Sequence, residues 1–149
     1  MSKYSVDAQD TNTASTTMLA LDGTTTTRGR LYDIIVGSDA TPADNAWEWN
    51  IRRFAVNNGT GTAVTPNPLD MADAAAEIDG TFNHSVEPSI TANSELLQVA
   101  MNQRATFRWV AAPGGELIIP ATSDSGINLI SETVAGSAVN VNITFHYEE

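Results

Sequence analysis

From Arg104 to Ala111 the side chains alternate, with Ala105, Phe107, Trp109 and Ala111 in one set and Arg104, Thr106, Arg108 and Val110 in the other. A period of two places the sets on opposite faces of a β-strand. The Phe107/Trp109 face carries most of the apolar area and is expected to meet a core. The Arg104/Arg108 face is expected to meet water, a carboxylate or a neighbouring chain. Leu97, Val99 and Met101 repeat the pattern upstream. Pro113-Gly114-Gly115 interrupts it, and Leu117-Ile118-Ile119 resumes it as a short buried run closed by Pro120.

The same pattern recurs along the chain. Leu31 to Val36 reads as a strand whose Tyr32/Ile34/Val36 face is apolar throughout. A loop of turn-formers from Gly37 to Asn45 follows. Trp47, Trp49 and Ile51 then share one face opposite Glu48, Asn50 and Arg52. Phe54 and Val56 continue the strand, and a change of face at Arg52-Arg53 would suit a bulge. Asn58-Gly59-Thr60-Gly61 is a turn. Phe82 to Ile90 is extended but contains Pro88, which suits an edge strand or a loop. Asp124-Ser125-Gly126 turns the chain into Ile127-Asn128-Leu129-Ile130. In the last strand, Ala138 to Tyr147, the residues Val139, Val141, Ile143, Phe145 and Tyr147 face one way. Their neighbours Asn140, Asn142, Thr144, His146 and Glu148 face the other.

Two segments depart from this pattern. After Thr65-Pro66-Asn67-Pro68, the run Leu69 to Glu77 reads as a short helix, with Asn67 as N-cap and Pro68 in its first turn. Asp70, Asp73 and Glu77 would lie on one side of it. The spacing of a calcium-binding loop is missing there, so a solvated face is expected rather than a metal site. Residues 1–30 are poor in large apolar groups and contain Thr24-Thr25-Thr26-Thr27. They read as an extended N-terminal arm, either a hairpin turning at Asp22-Gly23 or a segment ordered by a partner. Residues 31–149 then form one unit. Regularly spaced short strands with Gly/Pro turns indicate an all-β sandwich, and a jelly roll is the expected version.

A chain of 149 residues suits one domain with a real core. Its formal net charge is −11, with one lysine and six arginines, a field that repels a phosphate backbone. A nucleic-acid partner is not expected. No apolar run approaches the ~20 residues of a membrane helix, and no signal-peptide h-region is visible, so no membrane partner is expected either. The absence of cysteine excludes disulfides and thiolate chemistry. His84 and His146 are isolated, and neither a nucleophile elbow nor a phosphate-cradling glycine loop occurs. The reading is a non-enzyme without metal or cofactor. Arginine used almost to the exclusion of lysine suits ion pairs at interfaces. Arg28, Arg30, Arg52, Arg53, Arg104 and Arg108 are therefore the candidate partner-binding residues.

Three stretches carry a resemblance: G-S-D-A-T-P-A-D-N-A-W (Gly37 to Trp47), T-A-V-T-P-N-P-L-D-M-A-D-A-A (Thr62 to Ala75) and N-Q-R-A-T-F-R-W-V-A-A-P-G-G-E-L-I-I-P-A (Asn102 to Ala121). Over about Arg30 to Ile130 the chain resembles the cement, or decoration, proteins of tailed-bacteriophage heads. That resemblance implies a small β-sandwich, commonly trimeric, that clamps junctions of the major capsid protein on the virion exterior after assembly in the host cytoplasm. A carbohydrate-binding module of tail-fibre or receptor-binding type, stacking sugars on Trp47, Trp49 or Trp109, is the alternative.

Overall fold

The computed structural model describes residues 1–149. Twelve strands follow one another: β1 (Lys3–Thr11), β2 (Thr16–Asp22), β3 (Gly29–Ser38), β4 (Ala46–Phe54), β5 (Thr60–Val64), β6 (Asn67–Pro68), β7 (Asp79–Val86), β8 (Leu97–Asn102), β9 (Thr106–Val110), β10 (Leu117–Ile119), β11 (Gly126–Val134) and β12 (Asn140–Glu148). There is no helix. The strands form two antiparallel sheets. One runs β10-β3-β12-β1-β6, with β9 beside β10 on the same edge of β3; the other runs β5-β7-β2-β11-β4-β8.

The pairing has a simple logic. The first four strands pair with the later ones in reverse order: β1 with β12, β2 with β11, β3 with β9 and β10, and β4 with β8. The chain thus forms one long ribbon folded back on itself, and successive strands of the ribbon alternate between sheets. The segment β5–β7, at the ribbon's far end, widens the sheets at the edges that β1 and β2 leave open.

Alternation decides which residues enter the core. Val141, Ile143, Phe145 and Tyr147 of β12 face Tyr4, Val6 and Ala8 of β1 and the inward residues of β2, β4 and β11. Trp47 and Trp49 lie inside, at 1% and 0% exposure. The Trp47 indole N–H donates to Ser131 Oγ (2.8 Å), so the buried ring leaves no orphan donor. Phe107 and Trp109 pack against this core from β9, and Phe107 meets Trp49 edge-on at 5.7 Å between centroids.

The first thirty residues are not an arm. Tyr4, Val6 and Met18 to Leu21 are buried, β1 lies between β12 and β6, and β2 lies between β7 and β11. Nor is Asp22-Gly23 a hairpin turn. Gly23 leads the chain from one sheet to the other, with its N–H on Ser125 O (2.9 Å); a Cβ there would sit 2.0 Å from Pro120 O. The threonine run forms a turn in which Thr26 and Thr27 N–H donate to Thr24 Oγ1.

The expected helix over Leu69 to Glu77 is also absent, because side chains from elsewhere in the fold engage its backbone. Tyr4 Oη donates to Ala74 O (3.1 Å), while Glu77 and Ile78 N–H donate to the Glu149 carboxylate (2.8 and 3.2 Å). Leu69 N–H bonds Lys3 O, and Asp70 accepts from Ala72 N–H in a local turn. A nine-residue helix has little intrinsic stability to set against these partners.

Two further details differ from the pattern. In β3 the register skips Tyr32, since Tyr147 pairs with Leu31 and His146 with Asp33. This irregularity turns Tyr32 away from the core and leaves Leu31 inside. In β4, by contrast, the register through Arg52-Arg53 is unbroken. Arg53 therefore points inward across the end of the sandwich, and its guanidinium donates to Ile118 O of β10 (3.0 Å).

Full burial of side chains such as Tyr4 and Val6 contributes about 2 kcal/mol each, against a total stability of roughly 5–15 kcal/mol. A chain lacking residues 1–11 should therefore lose cooperative thermal unfolding by circular dichroism. A truncated chain that melts as sharply as the full-length protein would contradict this account.

Candidate functional site

The outer face of the β9/β10-β3-β12-β1 sheet holds a polar cluster centred on Asp33. Asp33 is 3% exposed although it lies on an outward face. Arg108 on neighbouring β9 covers it and donates through Nε and Nη2 to its two oxygens (2.9 and 2.7 Å). His146 lies opposite on β12, with Nδ1 donating to Asp33 Oδ2 (3.1 Å). The Tyr32 ring, turned outward by the β3 irregularity, stacks on His146 at 6.3 Å, and Lys3 Nζ stands 5.5 Å over the same ring. The Arg108 and His146 hydrogen bonds outweigh burial and hold the Asp33 carboxyl below its ordinary range.

Ser5 stands directly across from His146, so a serine, a histidine and an aspartate share one row over three strands. The row resembles a catalytic triad only in composition. Arg108 occupies both Asp33 oxygens, and backbone N–H groups in the sheet point along its plane into the ladder. No hydrogen bond joins Ser5 to His146, so the row does not reproduce the nucleophile–base contact of a triad. Its chemistry is that of a fixed pattern of charge.

Most of the candidate arginines have partners within the chain. Arg52 lies between Glu95 (3.0 Å) and Glu132 (3.3 Å), Arg104 pairs with Asp44 (3.4 Å), and Arg30 approaches Glu148 (3.8 Å). Arg53 is turned inward, as described above. Arg28 is exposed and makes no ion pair. The structure thus brings Arg30 and Arg108 onto one sheet face and places Arg52 outside the other sheet, so the six do not form a single patch. The stacking platform fares similarly. Trp47 and Trp49 are enclosed, leaving no indole face for a sugar, and Trp109 is half-buried beside Ile34.

The sequence reading missed the pairing of Asp22 with Asp79, which stand opposite each other on β2 and β7. Asn58 donates to Asp22 Oδ2 (2.7 Å), whereas Asp22 Oδ1 is buried without a partner. Burial, with further help from the Asp124 and Asp79 charges, raises the Asp22 carboxyl above its ordinary value. No sequence spacing links these residues; only strand register brings them together. Comparison with family models, curated proteins and solved structures finds no match to this chain.

Two predictions follow from opposite signs of pKa displacement. For Asp33 the folded value lies below the ordinary 3.8, so its stabilisation is present at neutral pH and is lost as pH falls through that lowered value. Asp33→Asn should destabilise the protein by roughly 2 kcal/mol at pH 7, by the usual worth of charged hydrogen bonds, and by less in acid. Urea unfolding at several pH values measures this. For Asp22 the folded value is raised, so ionisation at neutral pH opposes folding. Asp22→Asn should raise Tm at pH 7, with the gain disappearing as pH falls through the raised value. A Tm that drops at pH 7 would exclude this assignment.

Proposed function

We propose that this chain is a structural protein of a tailed-phage head, a cement or decoration protein that binds the outside of the capsid lattice as a homotrimer. Its sandwich is read as a jelly roll. The reverse-order pairing of β1–β4 with β12, β11, β9/β10 and β8 supports that topology, because a folded ribbon wound across two sheets produces this strand order. The functional reading rests on the resemblance over Arg30 to Ile130. The observation that carries it furthest is the enclosure of the tandem indoles Trp47 and Trp49 in a continuous core. A body of this kind acts through its outer surface, and its partner on this reading is the major capsid protein.

Three linked copies would hold a lattice far more firmly than one, since each further contact forms at high effective concentration. The purified protein should elute with three times its 15.8 kDa chain mass in light scattering. It should also bind heads that lack it and raise their resistance to heat. A monomer that ignores such heads would end this reading.

A further inference from the structure

A cavity of about 280 Å³ opens between the β1–β2 turn and β7. No apolar residue lines it; its walls include Asp10, Thr13, Thr17, Asn83, His84 and Glu87. Backbone donors fix both carboxylates. Thr11 N–H donates to Asp10 Oδ1 (2.7 Å) and Asn83 N–H to Asp10 Oδ2 (3.1 Å), while Thr17 N–H donates to Glu87 Oε2 (2.7 Å). Glu87 Oε1 has no protein donor, and no lysine or arginine nitrogen lies within 4.0 Å of either carboxylate. His84 Nε2 engages Thr81 Oγ1 (3.1 Å), and its Nδ1 is buried without a partner.

Such a cavity is rich in acceptors, and its two carboxylates have no lysine or arginine partner. What it lacks is a positive group that brings N–H donors. A directly ligated metal ion does not fit, because no three of the chain's His, Asp and Glu side chains converge closely enough to hold one. The wider distribution of charge points the same way. The ion-paired acids, Asp33, Asp44, Glu95, Glu132 and Glu148, all meet arginines of β3, β4, β9 or the β8–β9 turn. Asp7, Asp10, Asp70, Asp73, Glu77, Asp79 and Glu87, on the β1, β6 and β7 side, meet none, and elsewhere the unpaired acids Asp39, Glu48, Glu116 and Asp124 are scattered singly along the chain. A concentration of unpaired charge on one part of a protein steers a partner of opposite sign toward it.

We propose that this cavity receives a lysine or arginine side chain from a basic patch on a partner protein. The carboxylates are already held by the backbone, so little ordering opposes entry. Burial raises the Asp10 carboxyl, against the Thr11 and Asn83 N–H donors and the facing His84 and with the facing Glu87, so the interaction weakens as pH falls and Asp10 takes up a proton. The inference does not require the partner to be a capsid.

The test titrates ¹⁵N-labelled protein with Nα-acetyl-arginine methylamide and, separately, with the lysine analogue. Saturable shifts of the Thr17, Asn83 and His84 amides at millimolar concentration are expected, and the stronger of the two ligands identifies the side chain. Glu87→Gln keeps an oxygen for the Thr17 N–H, so the fold should survive. It should weaken binding about tenfold, the effect of one charge-assisted hydrogen bond. Asp10→Asn should act in the same direction. Shifts that fail to saturate at tens of millimolar, or that are unchanged in Glu87→Gln, would overturn the proposal. Because this assay contains no heads, its failure leaves the head-binding reading intact, and failure of head binding leaves the cavity's ligand intact.

Discussion

The fold depends on the pairing of its first strand with its last. Nine residues of β1 lie in register with nine of β12, from Lys3 opposite Glu148 to Thr11 opposite Asn140. Tyr4 and Tyr147 stack at 5.4 Å near one end of this pairing, on its inner face. Their hydroxyls then reach outward to Ala74 O and Ile78 O and fasten the 69–78 segment to the sheet. Burial raises the Tyr147 phenol far above its ordinary value, so the ring is a neutral donor at any physiological pH. Closing a loop of almost the whole chain costs entropy that only the completed apolar layer offsets. Every other strand pair lies inside that closure.

Charge is organised just as unevenly. A chain with a net charge of −11 keeps five of its six arginines against its own acceptors, four on carboxylates and Arg53 on a carbonyl. At Asp33 this allows a carboxylate to be covered on an open sheet face, because Arg108 and His146 replace the water it loses. Elsewhere the carboxylates stay uncompensated, and the surface they form is acidic. Most of the arginines that looked like the protein's contacts therefore have a partner within the chain. The residues that looked like ordinary solvated charge are the ones left free to meet something else.

A similar reversal explains the covered outer face of the second sheet. The connections after β4 and β7 run side by side, with Ala55 N–H on Ser89 O (3.2 Å) and Ser89 N–H on Asn57 O (2.9 Å). Asn58 reaches Asp22 and Glu87 reaches Thr17, so the pair of connections lies across β2. Ala20, Thr17, Asn128 and Asn50 are consequently buried although their strand positions face away from the core. Asn128 donates to Thr17 Oγ1 (2.9 Å) and Asn50 to Glu132 (3.1 Å), which gives each amide nitrogen a partner beneath that cover, while both Oδ1 atoms are buried without one.

The sequence alone determined which residues alternate, and so the strands β4, β8, β9, β10, β11 and β12, the inward set of β12, and the common face of Trp47 and Trp49. A period of two is a local property that reads directly from neighbouring side chains. It also placed Arg108 where a carboxylate could meet it, without naming Asp33. Only the tertiary structure decided the rest. The threonine-rich first thirty residues became two central strands because β12 and β11 offered them edges, and the alanine-rich Leu69 to Glu77 stayed irregular because Tyr4 and Glu149 engaged its backbone. The Asp33 cluster, the Asp22–Asp79 opposition and the polar cavity all join residues distant in sequence, and strand register is a relation between segments that neither segment carries alone.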